Sequence, residues 1–401
     1  MNQTKSPIYL DYHATTPVDE RVLKAMLPYF DVRFGNAASR SHSFGWQANE
    51  AVEIARKQVA DLLLVNPNDL FFTSGATEGL SMLLKGMADA NSKKGKHIIT
   101  LATEHHAVLD VVEWLGTKGY EISVLPVNAD GSIDLEKFKQ EIRKDTILVS
   151  AMWANNETGV IHDVASIGTI CKEANVPFIC DATQAVGKIE VHPKDVGVDM
   201  MVCSAHKFYG PKGIGAVYIN PAMKVKPTPL IHGGGHENGY RSGTLNVPAI
   251  VGMGEAARIC KEIGKNDMER IQKFRDHFEK TILNELEEVS VNGNVERRMH
   301  TVSNLCVRFT ESQAVMTKFR SKLAISSGSA CSSADPAPSH VLLAMGLSEE
   351  EAKASYRFSF GRPTTSEEVE MAAELFVNAV KEYREQSPVW GMHIKGIDVK
   401  G

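Results

Sequence analysis

The sequence predicts an α/β fold: a large domain on a mainly parallel sheet, joined to a smaller α+β domain. Three observations predict it. From about residue 46 to 220, short apolar runs alternate with helical stretches, the pattern of strands covered on both faces. A long helical stretch, Ala249 to about Glu288, then carries the chain away. After about residue 260, strands and helices mix without that alternation. At 401 residues the chain is also longer than one hydrophobic core usually serves.

The elements follow in order. Ile8-Tyr9-Leu10 is a short strand-like run, and Trp46–Leu64 has helical periodicity. Leu70–Thr73 reads as a strand, Ser74-Gly75-Ala76 as a turn, and a helix starts at Thr77. His97–Thr100 is strand-like and His106–Lys118 helical. Ile122–Pro126, Thr146–Met152, Val176–Cys180, Met200–Ser204 and Gly215–Ile219 are further strands. Leu135–Arg143 and Val164–Ala174 are helices among them. Glycines cluster around Gly233–Gly243 before the long helix. Beyond it, Val302–Phe309 and Arg357–Phe360 read as strands and Glu367–Glu385 as a helix. The division expected is 15–260 for the large domain, with 1–14 and 261–401 forming the small one.

Composition excludes several classes. A formal net charge of −5 argues against a chain built for nucleic acid or an anionic membrane. Met1 to Pro7 is polar and lacks the apolar core of a signal peptide. No apolar run is long enough to cross a bilayer, so a cytoplasmic protein is expected. Of six cysteines, no pair has CxxC spacing, which disfavours a zinc or thioredoxin-like motif. Cys171, Cys180, Cys203, Cys260 and Cys306 sit in apolar or helical surroundings and read as inert small hydrophobes. Cys331 differs: it lies in Ser-Ser-Gly-Ser-Ala-Cys-Ser-Ser-Ala-Asp-Pro, among small and polar residues.

Sheets of this kind hold ligands beyond the carboxyl ends of their strands, and the unusual residues fall there. Lys207, in Ser204-Ala-His-Lys, follows the strand Met200–Cys203. A lysine close to buried backbone can lose its proton and attack an aldehyde. Ser204 and His206 beside it can donate to a phosphate. A tight turn accounts for the nearby glycines but not for Ser, His and Lys together. Asp181 ends an apolar strand, where an unpaired charge is costly. It serves as a helix N-cap or pairs with the protonated ring nitrogen of pyridoxal phosphate, an electron sink. Gln184 is then within reach of that ring's phenolic oxygen. Thr73-Ser-Gly-Ala-Thr-Glu78 joins a strand to a helix start, whose free N–H groups favour an anion.

His105, in Thr-Glu-His-His-Ala, lies between strand and helix. It is either structural or a ring that stacks on a cofactor and shuttles protons. The His105-His106 pair has no matching third ligand, so no metal is expected. Cys331 is the candidate nucleophile, in a loop whose Ser and Gly residues suit a mobile thiol. Arg357, in a strand-like run, either clamps a substrate carboxylate or forms a sheet-face salt bridge.

Together these residues resemble the cysteine desulfurases of the IscS/NifS type, within the fold-type I (aspartate aminotransferase-like) pyridoxal-phosphate enzymes. The resemblance runs nearly end to end. It includes Tyr9-Leu-Asp-Tyr-His-Ala-Thr-Thr-Pro17, Phe34-Gly-Asn36, Thr73–Glu78, Thr103-Glu-His105 and Asn155-Asn-Glu157. It continues through Asp181-Ala-Thr-Gln184, His206-Lys207, His232-Gly-Gly-Gly-His236, Arg241-Ser-Gly-Thr244 and Ser326-Ser-Gly-Ser-Ala-Cys331. The resemblance implies a seven-stranded, mainly parallel sheet in the large domain. It implies that Lys207 bonds the cofactor covalently, His105 stacks on its ring and moves protons, Asp181 holds the ring nitrogen and Gln184 the phenolic oxygen. Ala76, Thr77, Ser204 and His206 would bind the phosphate, completed by Thr244 from the other subunit of a homodimer. Asn156, beside the cofactor, and Arg357 would hold the carboxylate of L-cysteine. Cys331 would take the sulfur as a persulfide, release alanine and pass the sulfur to an acceptor protein.

Two features depart from the family pattern. Ser-Ala-His-Lys stands where Ser-Gly-His-Lys is usual, a small-for-small change. The sequence stops at Gly401 without the longer tail of housekeeping members, and Arg308–Phe319 diverges. The acceptor expected is therefore one of three: an iron–sulfur scaffold, a tRNA-thiolation relay, or a pathway that adds sulfur to the DNA backbone. Competing readings are another lyase or aminotransferase on the same fold, which would not need Cys331, and a degenerate binding partner without pyridoxal phosphate.

Overall fold

The computed structural model describes residues 7–327 and 337–397. Strand β1 (Ile8–Tyr9) opens it. The central sheet holds β2 (Leu70–Thr73), β3 (His97–Leu101), β4 (Glu121–Leu125), β5 (Thr146–Ser150), β6 (Phe178–Asp181), β7 (Met200–Ser204) and β8 (Gly215–Ile219). Their order is β2-β8-β7-β6-β5-β3-β4. Strand β8 runs antiparallel to both its neighbours, and the remaining pairings are parallel. The expected seven-stranded, mainly parallel sheet is present. Its one inverted strand has a simple cause: residues 205–214 are too few for the crossover a parallel neighbour needs.

All residues of β2, β3, β5, β6, β7 and β8 are buried, whereas the edge strand β4 is half-exposed. Successive side chains point to opposite faces, and two helical layers receive them. Ile179, Met200, Val202 and Val217 pack with α2 (Ala76–Ala90) and α3 (His106–Gly116) through Leu80, Leu83, Met87, Val108 and Val112. Phe178, Cys180, Met201, Cys203 and Tyr218 face the other way. They meet Ile167 and Cys171 of α4 (Val164–Ala174) and the Val52–Leu63 side of α1 (Ser43–Leu63) in the same core. Each such side chain contributes about 1.5–3 kcal/mol of burial, which fixes the strand ends where the ligand groups sit.

Helix α5 (Val247–Glu285) passes from one core to the next. Val247 to Cys260 pack in the sheet's core, and Met268 to Ile282 in a second one. The second core lies under β9 (Val289–Val291), β10 (Val302–Val307), β11 (Leu323–Ala324), β12 (Ser326–Ser327) and β13 (Ser355–Ser359). Four of these form an antiparallel sheet in the order β12-β13-β10-β9, and β1 pairs in parallel with β11. Helix α6 (Ser366–Glu385) covers this sheet; Thr365 and Glu368 cap it reciprocally, and Phe376 packs edge-on to Tyr356 and Phe358. Among the described residues, no helix is long and apolar enough to cross a membrane. Cys171, Cys180, Cys203, Cys260 and Cys306 are free and buried, as expected. Cys331 lies outside the described residues.

Candidate active site

Strands β3, β5, β6 and β7 run one way, and β2 joins them because it too is antiparallel to β8. Their carboxyl ends therefore gather at one edge of the sheet. A cavity of about 690 Å³ opens there. Its walls include Ala76, Thr77, His105, Asn156, Asp181, Gln184, Ser204, His206, Lys207 and Arg357. Two predicted residues are not among them: Thr244 is exposed elsewhere on the chain, and Cys331 is not described. Ser326 and Ser327 line the cavity, and Cys331 follows Ser327 by four residues.

One wall is made for an anion. Gly75 caps α2 at φ 156° and ψ −179°, a region essentially reserved for glycine. Gly215 lets this turn sit directly on β8, because a Cβ there would lie 2.8 Å from the Gly75 backbone. No side chain caps the helix, so the first-turn N–H groups of Ala76 and Thr77 face the cavity without intrahelical partners. The Ser204 hydroxyl and His206 flank them. Glu78 in the same turn would repel an anion, but Arg241 pairs with it at 2.8 Å and Ser74 N–H donates to it at 3.0 Å. His206 Nδ1 meets Thr15 Oγ1 at 3.1 Å. Burial, with Lys207 close by, pushes His206 down to about 4, so it stays neutral at pH 7.

Lys207 ends the 3₁₀ turn after β7, and its Nζ donates to the carbonyls of His13 (2.7 Å) and Ala14 (2.8 Å). Burial, then the like charge of Arg357, pushes the amine down to about 8 against the opposing pull of Asp181 and Asp11. An amine so tuned supplies the neutral nucleophile near pH 7 far more often than an ordinary lysine. Asp181 is buried at the end of β6, and its Oδ1 accepts from Thr183 N–H at 2.9 Å. It therefore makes the local turn and faces the cavity as well. Gln184 Nε2 donates to the His13 carbonyl at 2.9 Å.

His105 is the N-cap of α3; its Nδ1 accepts from Ala107 N–H at 3.0 Å. That bond places the neutral ring's proton on Nε2. The ring is exposed to the open cavity while protein surrounds the rest of it. Burial lowers its pKa, and Asp181 only partly offsets this. Arg357 makes the salt bridge that the sequence allowed. Its Nη2 pairs with Asp11 at 2.8 Å, Nη1 donates to the Asn156 carbonyl at 3.2 Å, and Nε is buried without a partner among the described residues.

Several groups at the site went unread. Asp11 and His13 lie in Tyr9–Pro17, whose place in the motif was visible but whose role was not. Glu104, next to His105, is fully buried; one oxygen accepts from Met152 N–H at 2.5 Å and the other has no partner among the described residues. Burial and the neighbouring Asp181 push it up to about 8. Glu157 lines the cavity, accepts the Ser339 hydroxyl at 2.6 Å, and burial raises it to about 7. A carboxyl next to a sequence-flagged histidine was the only available signal for Glu104.

The donor set suits pyridoxal phosphate: N–H groups and hydroxyls at one wall, a carboxylate and an amide at another, and a nucleophilic amine between. Among the described residues, no group pairs with the buried Arg357 Nε.

Comparison with known proteins agrees. The family model described as aminotransferase class-V matches residues 8–371. Cysteine desulfurase IscS of Pasteurella multocida (strain Pm70) is 51% identical over 397 residues, covering 98% of each chain. The solved structure of a NifS-like protein superposes with a TM-score of 0.87 at 34% identity, covering 94% of this chain and all of that one. That of SspA in complex with cysteine gives 0.78 at 35% identity, over 89% of this chain and 99% of that one.

Proposed function

The chain belongs to the class-V aminotransferase family, among its cysteine desulfurases, and we propose how its own residues carry that activity. It is a pyridoxal-phosphate enzyme that takes sulfur from L-cysteine. When bound, pyridoxal phosphate supplies an aldehyde that captures amines and a ring that withdraws electrons.

Lys207 is the residue that anchors the cofactor, since its lowered pKa favours the nucleophilic form. Asp181 would keep the ring nitrogen protonated, and Gln184 would donate to the phenolic oxygen. Ala76 and Thr77 N–H groups, with Ser204 and His206, bind the phosphate. Arg357 and Asn156 orient the substrate carboxylate, so that the cysteine Sγ faces the mouth where Ser326 and Ser327 lie. His105 would hold a proton at Nε2 and move it during the reaction. The Cys331 thiolate attacks the substrate Sγ. The S–S bond forms as the Cβ–S bond breaks, the freed Cβ takes a proton, and alanine leaves.

The observation that carries this reading is the shared cavity: a tuned amine, an acid and an uncapped helix end on one 690 Å³ space. Purified protein should be yellow and should convert L-cysteine with a thiol reductant to alanine and sulfide. Lys207→Ala should remove the yellow band. Cys331→Ser should keep it yet form no persulfide; full turnover by that variant would remove Cys331 from the account.

A homodimer is proposed in which Thr244 completes the partner's phosphate site. Leu27, Phe30, Val32, Phe34 and Trp46 support it: each is more than half exposed, and a cluster of large apolar side chains marks an interface. The domain division proposed is 15–260 for the large domain, with 1–14 and 261–401 in the small one. The protein is placed in the cytoplasm. The sulfur acceptor is a protein of iron–sulfur cluster assembly, tRNA thiolation or DNA phosphorothioation. Tracing labelled sulfur from Cys331 by pull-down and mass spectrometry distinguishes them.

A further inference from the structure

A second buried lysine stands behind the cavity. Lys188 is only 8% exposed and is not part of the cavity wall, so it is no rival to Lys207 as nucleophile. Its Nζ donates to Gln184 Oε1 at 2.6 Å. On the other side of the same amide, Gln184 Nε2 donates to the His13 carbonyl at 2.9 Å. That carbonyl accepts and never donates, so the nitrogen must face it. The lysine satisfies the oxygen that would otherwise be buried without a partner, at a cost. The amide thus has its oxygen turned inward and one of its two N–H bonds spent on His13. The second N–H is left for the cavity, which Gln184 lines. The charged and titratable groups around the lysine are Lys207, Arg357, Cys260, His13 and His206. Four of them, Lys207, Arg357, His13 and His206, are themselves at the cavity, which places Lys188 in the network that sets its electrostatics.

We propose that Lys188 is a positioning residue that locks the Gln184 amide, so that Gln184 meets the phenolic oxygen of pyridoxal phosphate as a donor only. This rests on the cofactor placement proposed above. A donor on that oxygen stabilises its negative charge. It thereby lowers the pH at which the Lys207-bound cofactor loses its proton and its visible absorbance changes. Without Lys188 the amide oxygen loses its donor, and only the single bond to the His13 carbonyl resists its turning outward. The charge is then less stabilised and the spectral midpoint moves up.

The test is a spectrophotometric pH titration of the holoenzyme, the Lys188→Met and Gln184→Met variants, and the double variant. Each single change should raise the midpoint by about one pH unit, the scale of one hydrogen bond to a charged group. The double variant should rise no further than Gln184→Met alone. Lys188→Gln keeps an N–H for Gln184 and should stay near the wild-type midpoint. A Lys188→Met midpoint equal to wild type overturns the proposal. So does a shift that adds in full to that of Gln184→Met, because a bare charge effect would persist without the amide. If Lys188→Met does not fold, Lys188→Ala makes the same truncation and is read the same way. A wild-type protein that takes up no yellow cofactor would instead overturn the placement on which the proposal depends.

Discussion

In protein freed of pyridoxal phosphate, replacing Lys207 by Met should stabilise the fold at neutral pH. Its amine is pushed from 10.5 to about 8, chiefly by burial. In the unfolded chain the same amine titrates near its ordinary value. Below pH 8 both states carry the proton, and the folded state bears the full cost of holding it. Between about pH 8 and 10.5 the unfolded chain binds the extra proton, so stability rises with pH across that window. The gap corresponds to about 3 kcal/mol. Against this, the ammonium donates to the His13 and Ala14 carbonyls, and each lost bond costs about 0.5–1.5 kcal/mol. The net expectation is a gain of about 1–2 kcal/mol at pH 7. Urea unfolding of cofactor-free wild type and Lys207→Met, at one protein concentration, measures it at pH 7 and pH 10. The advantage should be present at pH 7 and shrink or reverse at pH 10. A variant less stable at pH 7, or a difference independent of pH, would refute the view that Lys207 sits in a site costly to its charge.

Three further outcomes follow from the same geometry. His105→Gln should keep the cofactor's absorbance and lose about 10²–10⁴ in kcat, the usual worth of a positioned proton carrier; unchanged turnover removes His105 from proton transfer. Arg357→Lys should raise KM for L-cysteine about tenfold or more, because a single ammonium cannot make the paired bonds of a guanidinium; an unchanged KM assigns the carboxylate to another residue. Glu104 is held protonated up to about pH 8, against an ordinary 4.5. The folded state therefore binds the extra proton between these values, and stability falls as pH rises through them. Glu104→Gln should flatten that slope, gaining over wild type above pH 8 and matching it near pH 4.5; parallel pH profiles in urea unfolding would contradict the assignment.

The strands were legible because burial on both faces demands unbroken apolar runs. Leu70–Thr73 and Met200–Ser204 coincide with β2 and β7 to the residue. The pairing was less so: that β8 inverts depends on the shortness of its connection, which a reading of apolar runs does not weigh. The long helix was found, but its passage from one core to another lies in which face is buried where. At the site, residues whose type is costly in context stood out, such as Asp181 and Lys207. Lys188 and Glu104 did not. One looks like any surface lysine and the other like a helix-start acid, and their meaning comes from burial that only the folded chain creates. Asp11 and His13 were hidden for another reason: they come from β1's neighbourhood, far from the strand ends in sequence, and act through one ion pair and one backbone carbonyl.

In the proposed reaction the sulfur passes to Cys331. Incubating the holoenzyme with L-cysteine, trapping thiols and mapping the peptides by mass spectrometry tests it directly. The peptide containing Cys331 should carry one extra sulfur atom, lost on reduction and missing in Lys207→Ala. Extra sulfur on a different cysteine, or alanine formed while the Cys331 peptide stays unmodified, would contradict it.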